Sequence, residues 1–543
     1  MTRAGFERHR MKRETTMVLG GWLVLAACLF GLGWRLLSAP GLFYDEAVYG
    51  GLAADFLNGH AGPHLPGVST VNVLGHPFPV FVQPSIGALK CWLLMPGFKL
   101  FGSTMAGLRL ANLVFSAVAL LIFMRWTWRL LGWAEALLAG ALLASDPAFF
   151  FLGALDWGSM LPSLLCRLGG FLLVLQVWRR QHAGWALAAG LVLGLGVFNK
   201  LDFGIILAGT TLAALGAYGR ALTTAFRIRP NMILLGLLGF LASAAPGLSH
   251  LRVILAAIQS PVSPHNPGEL VEKYHTLCAM YDGSYFYRLM DAGGRFDQMY
   301  QTPPPVWTPL GFLVLIAAIV LLADILHSPP ESPVRRNRVF ILFSAGFITL
   351  GAFLLPGPVR LHHTALVYPF PHLLIAAAAV AVWRRAGRFR RPGFRRAALA
   401  LVAGLLLMAA LANGLALRRT GQLIQETGGR GWWSDALARF AGEVHGRSDL
   451  TIRSLDWGFN EQLEFLSRGP RLAEPFWQEI LGQTPVWPRD AQQVYLAHPA
   501  EFSLSPLGGN FMESLRANTN AVVTPWRDRQ GRVAFYSITF TAR

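Results

Sequence analysis

The stretch GLFYDEAVYG, from Gly41 to Gly50, places two adjacent carboxylates, Asp45 and Glu46, among aromatic residues. It comes directly after the first long apolar run of the chain, which extends from Met17 to about Leu37. Charged groups beside a membrane-length apolar run are costly unless they have a partner or a task. Their role depends on how the rest of the chain crosses the membrane.

The composition is that of a membrane protein. Of 543 residues, 53% are hydrophobic and 14% are charged, and the mean hydropathy is +0.43, whereas soluble domains carry about 25% charged residues. The formal net charge of +18 does not indicate a nucleic-acid partner, because its arginines cluster between apolar runs, as in cytoplasmic loops. The first run lacks a small-x-small cleavage pattern, so we expect a retained anchor.

About eleven apolar runs are long enough to cross a bilayer, at roughly 20 residues each. The predicted spans are 17–37, 105–124, 134–152, 159–178, 184–198, 203–218, 231–255, 307–326, 338–356, 364–383 and 397–416. The run at 85–101 is also apolar, but it contains Lys90, Lys99 and Pro96. We therefore predict an interfacial helix there and not a span.

The distribution of basic residues fixes the predicted orientation. With the N-terminus in the cytoplasm, the inner segments carry about 22 Lys or Arg residues and the outer loops about seven, as the positive-inside rule requires. Counting 85–101 as a span would put the largest arginine cluster, in 384–396, on the outside. The C-terminus is thus predicted to be extracytoplasmic, in a multi-pass protein of a bacterial inner membrane.

Two domains follow from this topology. Residues 1–416 form an all-α transmembrane domain with large outer loops at 38–104 and 256–306. Residues 417–543 are more polar and combine a helical stretch, WWSDALARFAGEVH, with strand-like stretches. This pattern predicts a small extracytoplasmic α/β domain.

Asp45 and Glu46 start a stretch in which Tyr49, Leu52 and Phe56 recur at helical spacing. One interpretation is an N-terminal helix cap, since acidic groups satisfy free N–H groups and favour the helix dipole there. The other is a catalytic carboxylate, because partial desolvation at the membrane interface raises a carboxyl pKa towards that of a useful base.

A second acidic candidate is Asp156, in LDWG, at the outer end of a predicted span. It is either a functional carboxylate or the cap of the next span. Asp146 precedes Pro147 and marks either a functional group or a helix break.

Four basic or titratable side chains occupy short outer loops, where the positive-inside rule disfavours cations. They are Lys200, Arg360, His362 and His363. They are predicted to bind a phosphate group at the membrane surface; the alternative for the cations is a salt bridge to Asp45 or Asp156. The histidine pair lacks the spacing of a zinc site.

The order of YDEAVYGGLAADFL, VQPSIGALKCWLLMPGFKLFGSTMAGLRLAN, LDWG and NKLDFG resembles the GT-C glycosyltransferases, in particular the protein O-mannosyltransferase and aminoarabinose-transferase branch. The resemblance covers roughly residues 17–380. It implies that Asp45 is the catalytic carboxylate and that Asp156 matches the family's second acidic position. Where the family often has His-Pro-Pro-Leu, this chain has QPSI, which makes Gln83 a candidate substrate-binding residue beside Tyr49.

The resemblance implies an integral membrane glycosyltransferase that moves a sugar from a polyprenyl-phosphate donor to an acceptor on the outer face. Asp45 would accept a proton, while Glu46 and Asp156 would orient the acceptor or hold a divalent cation such as Mg²⁺ or Mn²⁺. The alternatives are a transporter or lipid flippase, and a noncatalytic envelope scaffold.

Overall fold

In the computed structural model the protein is mainly helical. The structure describes residues 3–60, 67–155, 157–250, 267–355, 360–387, 391–480, 482, 486–515 and 520–541. The helices up to residue 250 are α1 (Arg3–Gly33), α2 (Tyr44–Asn58), α3 (Leu89–Phe101), α4 (Met105–Leu130), α5 (Trp133–Ser145), α6 (Pro147–Ala154), α7 (Met160–Arg180), α8 (Ala183–Asn199), α9 (Phe203–Ile228) and α10 (Pro230–Leu248).

The helices from residue 267 onwards complete the membrane domain and enter the C-terminal region. They are α11 (Pro267–Tyr281), α12 (Tyr285–Asp291), α13 (Leu310–His327), α14 (Pro333–Leu354), α15 (Leu361–Thr364), α16 (Phe370–Ala386), α17 (Pro392–Thr427), α18 (Ala436–Val444), α19 (Asn460–Leu466), α20 (Pro475–Ile480) and α21 (Leu507–Ser514). The strands are β1 (Ser69–Val73), β2 (His76–Gln83), β3 (Ile86–Gly87), β4 (Thr451–Ser454), β5 (Arg471–Ala473), β6 (Gln493–Ala497), β7 (Ala521–Arg527) and β8 (Val533–Phe540).

Each of the eleven predicted spans contains helix in the structure. Among the described residues, nine helices are long and apolar enough to cross a membrane, and the pair α5–α6, bent by 65°, makes up to ten. Helix α8, at 17 residues, is shorter than the roughly 20 residues that cross a bilayer upright. Helix α3, the predicted interfacial helix, has 13 residues and packs against α2 and α4.

Two helices lie at the centre of the bundle. An 18-residue apolar stretch of α4 is 67% buried inside the protein, and that of the α15–α16 segment is 83% buried. The corresponding stretch of α17 is only 17% buried. The outward surface of α17 exposes leucines at 401, 407 and 411, as expected where a helix faces lipid. The central helices are therefore the ones that can hold polar groups away from lipid, and both reach the candidate site.

The first large loop, predicted to lie outside, folds onto the bundle as α2, an antiparallel sheet of order β1–β2–β3, and α3. Strand β2 begins near the exposed hairpin turn at Leu74 and Gly75 and becomes buried towards Val82. The register pairs Val73 with His76 and Phe81 with Gly87. The sheet therefore carries the chain from the surface to the base of α2.

The C-terminal region contains the predicted α/β domain. Its sheet has the order β5–β4–β6–β8–β7, with β4 parallel to β5 and β6, and β8 antiparallel to β6 and β7. Helix α17 continues through the predicted boundary at 416/417 to Thr427. Arg529 of the domain donates hydrogen bonds to the carbonyls of Gln425 and Thr427 at the end of this helix.

Aromatic side chains join the C-terminal domain to the start of α2. Phe43 stacks on Trp433 with ring centroids 4.1 Å apart and an interplanar angle of 7°. Tyr44 contacts Trp457, with centroids 4.6 Å apart. Trp457 belongs to LDWGFNEQLEFL, a stretch to which the sequence alone assigns no role, and the structure places it against α2.

Four carboxyl groups are crowded where α2 meets α19. Burial, as the largest cause, raises the pKa of Asp55 to about 6, that of Glu461 to about 7, and those of Glu464 and Glu474 to about 8. Mutual repulsion raises the pKa values of Glu464 and Glu474 further. Arg468 offsets part of this for Asp55.

These groups predict that the domain contact weakens as pH rises. A carboxyl whose pKa is raised in the folded state favours the protonated form, so stability falls between the unfolded value, near 4.5, and about 8. Hydrogen exchange of α19 measured from pH 5 to 8.5 should show protection decreasing across this window. The double variant Glu464→Gln/Glu474→Gln should flatten the profile, and a parent profile independent of pH would contradict the assignment.

Candidate functional site

Asp45 is the second residue of α2 and is partly buried. Its carboxylate accepts a hydrogen bond from the backbone N–H of Gly158. Burial raises its pKa above the ordinary aspartate value, and the nearby charge of Glu46 adds to this, whereas Lys90, Lys200 and the Gly158 N–H act in the opposite direction. Burial thus raises the pKa of Asp45 while two cations lower it. The balance of these two effects can adjust the pKa of a carboxylate that acts as a base.

Glu46, its neighbour, points into the protein and not into the site. Both Glu46 and Arg109 have no exposed surface, and Arg109 binds the carboxylate through two hydrogen bonds, Nε to Oε1 and Nη2 to Oε2, each 2.8 Å long. The remaining guanidinium donors reach the carbonyls of Leu36, Pro40 and Gly41 at 2.8, 2.9 and 3.1 Å. Arg109 therefore ties the loop after α1 to the first turn of α2.

This geometry differs from the predicted catalytic role of Glu46. Its Oε2 also accepts the N–H of Phe43, the N-cap residue of α2, at 3.0 Å. The capping interpretation of the acidic pair thus describes Glu46. Because its oxygens are occupied by protein donors, Glu46 fixes the helix turn that presents Asp45.

A cavity of about 320 Å³ opens beside Asp45, at the lower end of the range of small-molecule sites. Its lining residues are Tyr44, Asp45, Val48, Tyr49, Val82, Gln83, Ser85, Ile86, Gly158, Ser159, Lys200, His362 and His363. The structure thus brings together six of the predicted site residues from separate parts of the chain. The lining combines apolar side chains, Val48, Val82 and Ile86, with charged and imidazole groups.

The backbone of Gly158 contacts both Asp45 and Lys90. Its N–H faces Asp45, and its carbonyl accepts a hydrogen bond from Lys90 Nζ. Its φ of +64° is in the left-handed region, which favours glycine. A Cβ atom at this position would also lie 3.5 Å from Cγ of His362.

Lys90 is a candidate functional residue that sequence reasoning misses. In the sequence it serves only to classify 85–101 as interfacial, but it is 1% exposed and its Nζ lies 4.1 Å from the ring centre of Tyr49. A buried lysine that contacts an aromatic face and the glycine bonded to a carboxylate is an electrostatic component of the site. The available signal is the lysine in an apolar helix, GALKCWLL, which is unusual when the helix packs in a core.

Lys200 lines the cavity from the end of α8. Its Nζ lies 3.0 Å from Asp202 Oδ2, and its charge acts on Asp45. The ion pair with Asp202 holds the ammonium at the cavity wall. The predicted alternative for this cation is a salt bridge to Asp45 or Asp156, and the pairing observed is with Asp202.

The two histidines line the cavity from a short helix, α15. Polar groups contact this helix and the residues that follow it. The two imidazole rings lie 4.0 Å apart, and His363 Nδ1 accepts the N–H of Arg360 at 3.2 Å. Buried Arg167 donates to the carbonyls of Leu366, at 2.5 Å, and Tyr368.

Asp146 holds the next part of the same segment. Its Oδ2 accepts the hydroxyl of Tyr368 and contacts Nε2 of His372, both at 2.9 Å. Its Oδ1 caps α6 through the N–H of Phe149 at 3.1 Å. The predicted helix break before Pro147 is confirmed, since α5 and α6 meet there at 65°.

Besides Glu46, one described residue of the predicted site, Arg360, is not among those that line the cavity. Arg360 is ion-paired with Glu272 of α11 and lies over the ring of Phe296 at 3.9 Å, so its predicted phosphate contact stays a prediction. Asp156 lies outside the described residues.

The described residues do not fit a divalent cation. Among them no group of three His, Cys, Asp or Glu side chains has the spacing of a metal site. Beside Asp45 the nearby charges are those of two lysines and of Glu46, whose oxygens bind Arg109. Two ammonium groups disfavour a cation at this carboxylate.

Comparisons with known proteins agree with the fold. Residues 87–250 match a family described as dolichyl-phosphate-mannose-protein mannosyltransferase. The structure is similar to that of ArnT from Cupriavidus metallidurans in the apo state, with 14% sequence identity, a TM-score of 0.55, and coverage of 96% of this chain and 98% of that chain. It is similar also to the same protein bound to undecaprenyl phosphate, with 15% identity, a TM-score of 0.55, and coverage of 95% and 98%. No curated protein sequence matches the chain.

These likenesses establish the fold. The transmembrane helices and the small C-terminal sheet domain form the GT-C architecture that the sequence resemblance predicted. The chain is accordingly an integral membrane protein.

The ion pair of Glu46 and Arg109 predicts a large structural penalty on substitution. Removing one partner of a buried pair leaves an uncompensated charge, which costs about 3–5 kcal/mol. We expect Arg109→Leu and Glu46→Gln to lower the melting temperature of the purified protein, Arg109→Leu the more strongly. Arg35→Leu, a change at an arginine of the same loop outside the pair, is the control. A melting temperature unchanged in Arg109→Leu would contradict the structural role.

Proposed function

We propose that the protein is a glycosyltransferase that moves a sugar from a polyprenyl-phosphate carrier to an acceptor at the outer face of the membrane. The observation that carries this proposal is the position of Asp45, a partly buried carboxylate with a raised pKa that shares a cavity with Lys200 and a histidine pair. The matched family is described by a dolichyl-phosphate sugar donor, and the similar ArnT structure contains undecaprenyl phosphate. Both descriptions support the donor class.

Asp45 is the base of the proposed reaction. The acceptor oxygen attacks the anomeric carbon of the donor, the bond from that carbon to the phosphate oxygen breaks, and the electron pair leaves with the phosphate. The proton of the acceptor hydroxyl passes to Asp45. The desolvation that raises the pKa of Asp45 makes it a stronger base than an exposed aspartate.

Cations offset the charge that develops on the leaving phosphate. Lys200 extends into the cavity from α8, and its position is fixed by Asp202 at 3.0 Å. Because the group is held in place before the reaction, little reorganisation is needed as charge develops. His362 and His363 also line the cavity and supply N–H donors there. Lys90, which donates to the carbonyl of Gly158, balances the charge of Asp45.

The mixed lining of the cavity suits the two parts of the donor. The apolar side chains Val48, Val82 and Ile86 fit the first units of a polyprenyl chain, while Tyr49 and Gln83 provide hydroxyl and amide groups for a sugar. Asp156 stays a proposed acceptor-orienting residue on the sequence resemblance. Among the described residues, the donor set at Asp45 does not fit a divalent cation.

The decisive experiment is transfer of labelled sugar from a polyprenyl-phosphate donor by the purified protein. Asp45→Asn should reduce the rate by about 10²–10⁴-fold, the usual contribution of a positioned base, at an unchanged melting temperature. Asp55→Asn is a matched control, because Asp55 lies on the same helix and is buried but does not line the cavity. Full activity of Asp45→Asn would contradict the proposed role. Absence of transfer from a panel of lipid donors would instead favour a transporter, a flippase or a scaffold.

The proposed orientation has the N-terminus in the cytoplasm and the C-terminal domain outside, in a bacterial inner membrane. It is supported by the excess of basic residues in the segments assigned to the inside. A reporter active only outside the cytoplasm should be active when fused at Arg543 and silent when fused near Arg391. The reverse pattern would put Asp45 on the cytoplasmic face and overturn the orientation.

A further inference from the structure

The helices that build the site also carry arginines at their far ends. Arg109, near the start of α4, binds Glu46 beside the cavity, and Arg129 lies 20 residues further along the same helix. At 1.5 Å per residue the two are about 30 Å apart, which is the thickness of the hydrocarbon core of a bilayer. Helix α7 likewise begins next to Ser159 of the cavity and ends at Arg180. The far ends therefore reach the opposite membrane surface.

One set of arginines at helix ends is paired with carboxylates of the protein. Arg384 lies 2.8 Å from Glu135. Asp324 is paired with both Arg338 and Arg385, the latter at 2.6 Å. These arginines have carboxylate partners and need no external anion.

A second set, which we call the α4–α7 arginine group, has no such partners among the described residues. It consists of Arg125, Arg129, Arg179 and Arg180. The other three charges repel that of Arg129. In the part of the chain that the structure describes, no carboxylate lies within 4.0 Å of these guanidinium groups.

The contacts that hold this group are not ionic. The guanidinium groups of Arg129 and Arg125 lie 4.5 and 5.5 Å from the ring centre of Trp128, and Arg179 Nη2 donates to the carbonyl of Arg129 at 2.9 Å. Glu14, the carboxylate beside Trp128, is engaged by the indole N–H at 3.1 Å and by Arg10 at 2.9 Å. The arrangement gathers positive charge that the described residues leave uncompensated.

We propose that the α4–α7 arginine group binds the phosphate of an anionic lipid in the leaflet opposite the cavity. The planar guanidinium fork matches two phosphate oxygens, and several forks at one place can share one phosphate. Arg179 and Arg180 are exposed and accessible to a headgroup. The site is separate from the proposed transfer chemistry and does not depend on it.

The surface next to the group favours a lipid over free phosphate. Val174 and Trp178 lie four residues apart on α7, which puts them on one face, and each is 47% exposed. They extend from the arginines towards the membrane interior, where an acyl chain lies, and tryptophan is favoured at this depth. A lipid thus contacts both surfaces, whereas inorganic phosphate contacts only the arginines.

The test uses the full-length protein in a neutral detergent. Phosphatidylglycerol, phosphatidylcholine or inorganic phosphate is added, and the melting temperature and the lipid retained in native mass spectrometry are measured. Phosphatidylglycerol should raise the melting temperature and remain bound, while phosphatidylcholine and inorganic phosphate at equal concentration should do neither. Arg179→Gln/Arg180→Gln should weaken phosphatidylglycerol binding by about tenfold or more, since each basic residue near an anionic surface contributes to attraction.

The matched control is Arg395→Gln/Arg396→Gln. It removes the same charge from two exposed arginines of α17 outside the group and should leave lipid binding as in the parent. Equal loss in both double variants would show a general charge effect and overturn the assigned site. An equal response to inorganic phosphate would show an anion site without lipid selectivity and overturn the lipid assignment, and no binding by the parent would also overturn the proposal.

Discussion

The buried ion pair of Glu46 and Arg109 is the constraint on which the site depends. Two unexposed charges are tolerable only because each is fully hydrogen-bonded. The guanidinium fixes three carbonyls of the loop after α1, and the carboxylate fixes the first turn of α2. Since Asp45 immediately precedes Glu46, its direction into the cavity follows from that of its neighbour. A non-reacting pair thus determines where the candidate base points.

The membrane fold could be predicted from the sequence because lipid imposes a strong and local pattern. Runs of about 20 apolar residues read directly as helices, and each predicted run contains one. The number of spans is harder to predict, because α8 is short and α5–α6 is bent at Asp146. Those features come from packing between helices, for which one sequence has no simple signal.

The candidate site is predictable to the extent that its residues stand out from their surroundings. Asp45 and Lys200 are charges in apolar context, and both line the cavity. Glu46 looks equivalent to Asp45 in sequence, and only the contact with Arg109, 63 residues away, distinguishes them. Lys90 escapes sequence reasoning because its contacts with Tyr49 and Gly158 join distant parts of the chain. The pairing of Arg360 with Glu272 likewise joins distant parts.

Helix α17 has 36 residues, so it is about 54 Å long and exceeds a hydrocarbon core of about 30 Å by roughly 24 Å. Its end is bonded to the C-terminal domain through Arg529, and that domain places its tryptophans on Phe43 and Tyr44. Each residue inserted into a helix turns everything beyond it by about 100°. The length of α17 can therefore change only in certain increments. One added residue would turn the domain away from α2. About seven added residues, close to two full turns, would restore its direction but move it about 10 Å further along the helix axis.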